Sequence, residues 1–288
     1  MPRPFCSLML TLCLLGLVLS PIRAQSDSAR VAAGIHLMQS SFAERMRERC
    51  TSFGAGSADV FDTYLSPQAY HGFELRFMRQ SGDAPYESSR RWLRQTHFEA
   101  FFSRTRHPSE DNTNLSVMAE WRWGLLHRLP LGLPPSVQVL LGGQVYGEGG
   151  VIYNLANGNN PAAMKLGAGL GLAAQASWHF RLGRLHRPFM LRYQYFMPLA
   201  GAFFSPHYGQ SYYEIFSLGH SSGVVHFSWP GNKPAFWNHL SLDVPLFRRT
   251  TLRLSYVADI RQSSVENLKY HNWSHTFMLG LVHKFVRL

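Results

Sequence analysis

Cysteine is scarce in this chain of 288 residues. It occurs three times, at Cys6, Cys13 and Cys50. If the first two leave with an export signal, the mature chain keeps one thiol and has no intramolecular disulfide. Its stability must then come from side-chain packing or from a membrane. No histidine-containing catalytic signature surrounds Cys50, and we interpret it as an unreactive side chain.

Long apolar runs are also missing, and the one apolar stretch at the N-terminus is short. Residues 8–19 form an apolar run of about a dozen residues, whereas a transmembrane helix needs roughly 20. The run follows Arg3 and precedes a small-residue stretch that ends at Ala24, the pattern of a secretory signal. We therefore predict a signal peptide at residues 1–24 and a mature domain at 25–288. An uncleaved membrane anchor is the alternative.

Charged residues are few as well. They make up 16% of the chain, against about a quarter in typical globular proteins. Aromatic residues reach 14% and are scattered along the chain, together with 24 glycines. This composition favours a barrel with a lipid-facing belt, and a secreted β-sandwich is the alternative.

Cations outnumber anions among the charges that remain. The net charge of +11 becomes +9 once Arg3 and Arg23 leave with the signal. This excess is suited to anionic lipid headgroups or to an acidic ligand. Nucleic acid is not expected as a partner, because export separates the chain from it and the cations form no concentrated stripe.

Alternation with a period of two predicts β-strands throughout the mature chain. Between residues 115 and 125 every second side chain is apolar, and Ser116, Glu120 and Arg122 lie on the opposite face. A strand puts the two sets on separate sides, whereas a helix would scatter them. The strongest segments are 73–77, 115–125, 166–182, 189–195, 239–244 and 252–256; weaker candidates are Val31–Met38, Thr51–Val60, Trp92–Thr105, Val137–Tyr146, Gln210–Leu218, Val224–Trp229 and Asn272–Phe285.

These segments number about 13, with a range of 10 to 14. Single-chain bacterial barrels have even strand numbers, which favours 12. Turn-forming residues separate the segments, and the composition of residues 157–161 predicts a loop. The sequence therefore predicts an all-β fold, a single antiparallel up-and-down transmembrane β-barrel.

The polar faces carry charges of both signs, which bears on where the barrel sits. A soluble barrel would leave these faces in water. An outer-membrane barrel would turn them into its lumen, where opposite charges pair. We favour the second, with candidate lumen residues Glu74, Arg76, Glu120, Arg122, Arg192, Asp243, Arg253 and Asp259.

Large aromatic residues favour the same location. They fall near predicted strand ends, where interfacial girdles of a membrane barrel lie. The last segment, with Gly280 inside it, resembles the closing strand by which assembly machinery recognises barrel proteins. The girdle candidates are Trp92, Trp121, Trp123, Trp178, Phe180, Trp229, Phe236, Trp237 and Trp273.

Two parts of the sequence carry a family resemblance. The first is residues 62–67, Asp-Thr-Tyr-Leu-Ser-Pro, followed by Tyr70, Gly72, Glu74 and Arg76. The second is residues 272–275, Asn-Trp-Ser-His, with the strand around Gly280. Together they resemble a family of uncharacterised outer-membrane barrel proteins from Gram-negative anaerobes. The resemblance implies the fold and an outer-membrane location, and it supplies no catalytic residues.

No motif for catalysis, a metal or a cofactor stands out. Gly167, Gly169 and Gly171 repeat with a period of two and lack the helix that a phosphate loop needs, so we assign them to closely packed strands. The histidines show no ligand spacing, and no Gly-x-Ser-x-Gly motif surrounds Ser255 or Ser274. No metal and no cofactor are therefore expected.

The expected function is that of a non-enzymatic outer-membrane barrel: a narrow channel, a ligand-binding barrel or a structural surface protein. Its expected partners are outer-membrane lipid, lipopolysaccharide and the barrel assembly machinery, and the sequence does not define the oligomeric state. An outer-membrane enzyme that modifies lipid or lipopolysaccharide, and a soluble secreted β-protein, are the alternatives.

Overall fold

A computed structural model of the chain describes residues 46–286, apart from positions 87, 89, 110, 159, 183–187 and 247–249. The chain divides into Met1–Ser40 and Ser41–Leu288, and every described residue belongs to the second unit. The predicted signal peptide and the candidate strand Val31–Met38 lie outside the described residues, so both stay predictions.

Eleven strands and one short helix make up the described part of the chain. All paired strands are antiparallel. Their bounds are β1 Met46–Asp62, β2 Ala69–Asp83, β3 Trp92–Arg106, β4 Thr113–Arg128, β5 Val137–Asn154, β6 Ala162–Phe180, β7 Phe189–Phe204, α1 Tyr212–Phe216, β8 Val225–Ser228, β9 Ala235–Pro245, β10 Thr250–Val265 and β11 Leu268–Val286.

The sheet closes on itself into a barrel. Each strand from β1 to β6 pairs with the next one, β7 pairs with β9, β9 to β11 pair in order, and β11 pairs with the whole length of β1. Within the described residues ten strands close the barrel, and β8 lies outside it along the last residues of β7. The predicted all-β antiparallel barrel is confirmed.

The ten barrel strands of the described residues lie within the predicted range of 10 to 14, below the favoured number of 12. Of the two segments that do not join the barrel, Val224–Trp229 forms the outside strand β8, whereas Gln210–Leu218 contains the helix α1. Ser211 caps α1 by accepting a hydrogen bond from the Glu214 backbone, and the Glu214 side chain accepts one from Ser211 in return. This reciprocal cap favours a helix locally, which the apolar pattern alone did not indicate. No helix among the described residues is long and apolar enough to cross a membrane.

The connections differ between the two ends of the barrel, which we call end A, where β1 ends, and end B, where β1 begins. The longest connection, residues 205–234, leaves β7 at end A and contains α1 and β8. The shortest is also at end A, where Glu266 and Asn267 have φ of 49° and 62° and form a tight two-residue hairpin. The first described residue and the last both lie at end B.

Side chains alternate between an apolar outer face and a polar interior. On β3, for example, Phe98 is exposed between buried His97 and Glu99. Exposed outer side chains include Phe53, Phe73, Leu75, Val117, Trp121, Trp123, Leu170, Phe277 and Leu279; buried interior ones include Ser116, Glu120, Arg122, Gln175, Ser241, Arg253 and Thr276.

The glycines of β6 make room for the interior. A Cβ on Gly171 would come within 2.5 Å of the Phe196 ring, and one on Gly169 within 2.3 Å of the Ala200 carbonyl oxygen. The period-two glycines therefore belong to close strand packing and not to a phosphate site.

Candidate functional site

All eight candidate lumen residues are buried, and their side chains meet inside the barrel. They divide into a central cluster and a cluster near end B. The central cluster contains Glu74, Arg76, Glu120, Arg122 and Asp259, and the end-B cluster contains Arg192, Asp243 and Arg253.

Arg76 is the hub of the central cluster. It projects from β2 and is only 2% exposed. Its Nε donates to Glu74 at 2.8 Å, and its Nη1 donates to Glu99 at 2.9 Å. Both Nη atoms also reach Asp259 on β10, each at 3.1 Å. One guanidinium thus joins three carboxylates from three strands.

Arg261 extends this cluster across the barrel. Its Nη2 donates to Glu99 at 2.8 Å, and its Nη1 lies 3.0 Å from both Glu120 and Glu148. Lys233, from the long end-A connection, pairs with Glu148 in turn. The ion pairs therefore run without a break from β2 to the connection that leaves β7.

An aromatic layer lies against this network on its end-B side. The Arg122 guanidinium carbon is 4.0 Å from the Trp237 ring centroid and 4.7 Å from that of Phe196. Arg122 also pairs with Glu120 at 2.8 Å, and Trp237 Nε1 donates to Glu99 at 3.2 Å. Cation–π contacts of this kind strengthen when water is excluded.

Amide side chains fill the next level towards end B. Gln80 donates to Gln194 at 2.9 Å, Gln194 donates to Gln175 at 3.1 Å, and Gln95 donates to Gln175 at 2.7 Å. These four residues come from β2, β7, β6 and β3. The chain of amides therefore spans the interior.

The end-B cluster consists of two ion pairs. Arg253 holds Asp243 by both carboxylate oxygens, at 2.6 Å and 2.8 Å, and its Nη1 donates to Gln80 at 3.0 Å. Arg192 pairs with Glu48. Two parallel donors on one carboxylate give a fixed geometry as well as a charge pair.

Loop residues make contacts at both ends of the barrel. At end A the Tyr212 ring of α1 packs against Tyr64, whose hydroxyl donates to the Gln210 carbonyl at 2.9 Å. Burial, with the carboxylates of Asp62 and Glu214 nearby, raises the pKa of Tyr64 to about 12, so its hydroxyl stays protonated as a donor. At end B the Tyr86 hydroxyl donates to the carbonyl of Ser177 at 2.9 Å, from a different hairpin.

Little space remains between these layers. Among the cavities of the described interior, one is lined by Arg122, Gln194 and Arg253 and another by Glu148 and Lys233. Each offers about 40 Å³ for the centres of water molecules. Because one water needs roughly 10–15 Å³ on this scale, each cavity holds only a few waters.

Sequence reasoning misplaced two of the girdle tryptophans. Trp237 is 5% exposed and lies inside the barrel, and Trp121 lies near the middle of β4 instead of its end. The alternation that predicted His239, Ser241 and Asp243 as one face puts Trp237 on that same inward face. Extending the alternation of this strand by two residues towards its N-terminus would have predicted that Trp237 points inward.

Lys233 and Glu148 were missed for different reasons. Lys233 lies in a connection, where strand alternation gives no information. Glu148 lies among glycines on β5, and these weaken the apolar alternation around it.

No catalytic or metal-binding constellation forms from the candidates that the sequence offered. Ser274 is buried and accepts a hydrogen bond from Arg76, whereas neighbouring His275 faces outward and contacts the Tyr256 hydroxyl at 2.7 Å. Strand alternation thus separates the nucleophile candidate from the base candidate. His271 also lies on the outer face, beside Asp59. Across the described ranges no group of three or more His, Cys, Asp or Glu side chains is arranged to hold a metal.

Comparisons with known proteins agree with the fold. A family model described as Protein of unknown function (DUF3316) matches residues 8–288. No curated protein matches the chain in sequence. The solved structure of the outer membrane protease OmpT from Escherichia coli is similar, with a TM-score of 0.52 and 9% identity, over 86% of this chain and 100% of that one.

A second similar structure is the translocator domain of the autotransporter NalP from Neisseria meningitidis. Its TM-score is 0.40 at 10% identity, over 89% of this chain and 94% of that one. At 9% identity the likeness to OmpT concerns the fold alone, that of an outer-membrane-type β-barrel.

Replacing Arg76 tests how strongly the central cluster depends on it. Arg76→Met leaves Glu74, Glu99 and Asp259 without their shared cation, and breaking a buried pair typically costs about 3–5 kcal/mol. We expect a loss of that size in the free energy of unfolding, measured by urea titration of the refolded barrel. The control is Arg104→Met, on the exposed outer face of β3, with an expected change of at most about 0.5 kcal/mol. Equal losses in the two variants would contradict the hub role.

Proposed function

The chain belongs to the family described as Protein of unknown function (DUF3316), and we propose that it acts as a closed, non-conducting β-barrel of a Gram-negative outer membrane. In this role it is a structural or ligand-binding surface protein without enzymatic activity. The filled interior is the observation that carries the proposal.

The outer face of β3 supports the membrane location. Arg94 and Arg104 both point outward, and the outward positions between them are Thr96, Phe98, Ala100 and Phe102. Arg104 is ten residue positions along the strand from Arg94. At about 3.3 Å per residue and a tilt of ~40° this is ~25 Å, the height of the apolar band in such barrels. The two cations therefore bracket one bilayer core.

The interior argues against a diffusion channel. A water-filled pore needs an open lumen, whereas here the ion pairs of Arg76 and Arg261 cross it. Side chains from Arg122, Trp237 and Phe196 pack directly against them. Moving these groups aside would expose buried charges without their partners, which is energetically costly.

We base the sidedness of the barrel on its longest connection. In outer-membrane barrels the longer loops face outward and the short turns face the periplasm. The 30-residue segment 205–234 is at end A, so we assign end A to the cell surface and end B to the periplasm. Exposed Tyr208, Tyr213 and Phe216 belong to this surface segment.

Planar-bilayer recording tests the closed lumen. We expect the mature chain, refolded and inserted, to give no reproducible conductance steps. Insertion is checked in parallel by heat-modifiable migration on a gel after extraction from the same vesicles. A uniform step conductance in inserted protein would contradict the proposal and favour a channel.

An arginine on the apolar band tests the membrane location. Ala100→Arg places a charge midway between Arg94 and Arg104, where a cation facing lipid costs about 2–4 kcal/mol. Tyr153→Arg, on the outer face at the end-A end of β5, should cost at most about 1 kcal/mol. The free energy of unfolding from vesicles measures both. Small, equal effects would indicate that the outer face is in water.

A further inference from the structure

Three arginines lie on the outer face of the barrel towards end B. They are Arg49 on β1, Arg79 on β2 and Arg94 on β3, and we call them the arginine patch. All three are exposed, and Arg94 lies farther from the other two, because Arg79 is opposite Phe98, four residues from Arg94. In the β1–β2 register Arg49 is opposite Ser81 and Arg79 is opposite Thr51, so the first two are diagonal neighbours. Such neighbours have Cα atoms about 7–8 Å apart, within reach of one shared group.

The arginine patch has no anionic partner of its own. Among the described residues none of its three guanidinium groups forms an ion pair or a hydrogen bond; Arg49 contacts only the Phe285 ring, at 5.4 Å. Asp83, at the end-B end of β2, already pairs with Arg47 at 3.7 Å. Every arginine of the two interior clusters, in contrast, pairs with a carboxylate.

The arginine patch borders the apolar band. Phe53, which is 65% exposed, is four residues from Arg49 towards end A, and Phe98, which is 37% exposed, is directly opposite Arg79. Trp92, 56% exposed, is two residues from Arg94 towards end B. An arginine at this depth covers apolar surface with its aliphatic stem and extends its guanidinium to the headgroups.

We infer that the arginine patch, through Arg49 and Arg79, binds the phosphate group of an anionic phospholipid in the periplasmic leaflet. The guanidinium fork matches phosphate oxygens with two parallel hydrogen bonds. End B faces the periplasm in the proposed orientation, so the ligand is a phospholipid and not lipopolysaccharide. The inference rests on the proposed function, because it requires the outer face to lie in a bilayer.

Native mass spectrometry of the mature chain in nanodiscs tests this site. The nanodiscs contain phosphatidylcholine with a minor fraction of phosphatidylglycerol, and the fraction of released barrels that retain phosphatidylglycerol is counted. We expect Arg49→Gln/Arg79→Gln to lower this fraction by roughly fivefold or more, the effect of about one cation at an anionic surface.

The matched control removes two outer cations near end A. Arg104→Gln/Lys269→Gln changes the net charge equally, and both side chains are exposed. It should leave phosphatidylglycerol retention within about twofold of the unmodified chain. Arg49→Lys/Arg79→Lys keeps the charge and should keep most of the retention.

Equal losses in the two glutamine variants would overturn the site, because they would reflect net charge alone. The absence of any preference for phosphatidylglycerol in the inserted, unmodified chain would also overturn it, without affecting the proposed function. Failure of the chain to insert into bilayers would overturn both.

Discussion

Charge pairing inside the barrel is the constraint on which the rest of this structure depends. Removing a carboxylate or a guanidinium from water costs several kcal/mol unless an opposite charge and hydrogen bonds replace the water. Arg76 and Arg261 meet that condition by sharing Glu99 and Asp259 between them. Because these partners come from β2, β3 and β10, their pairing joins strands that are not neighbours in the sheet and fixes what fills the lumen. A barrel held together in this way has its interior occupied by its own side chains.

The same pairing explains how the surplus of positive charge is distributed. Interior arginines are matched by carboxylates, so the net charge of +11 must be carried elsewhere. Part of it lies on the outer face, at Arg49, Arg79 and Arg94 near one end of the apolar band and at Arg104 near the other. The proposed membrane position and the proposed phospholipid site follow from the same division between paired and unpaired cations.

Strand alternation predicted the faces of individual strands, because a period of two depends only on neighbouring residues. It put Glu120 and Arg122 on the face opposite Trp121 and Trp123, and in the barrel the first two are buried while the tryptophans are exposed. It did not predict that Arg76 meets Asp259, which is 183 residues away, because pairing across a lumen depends on strand order and register. The helix α1 was not predicted for a different reason. Its signal is the local reciprocal cap of Ser211 and Glu214, whereas apolar alternation alone predicts a strand for this segment.

Cys50, the one thiol that remains if the predicted signal peptide is removed, gives the most direct test of a filled interior. Cys50 points inward near end B, is 3% exposed and lies 3.3 Å from the Ser52 hydroxyl. In a chain starting at Gln25, the rate at which a charged maleimide labels this cysteine can be compared between the folded barrel and the same protein in urea. A filled interior predicts full labelling in urea and essentially none in the folded barrel, whereas labelling of the folded barrel at the rate of the unfolded chain would contradict it.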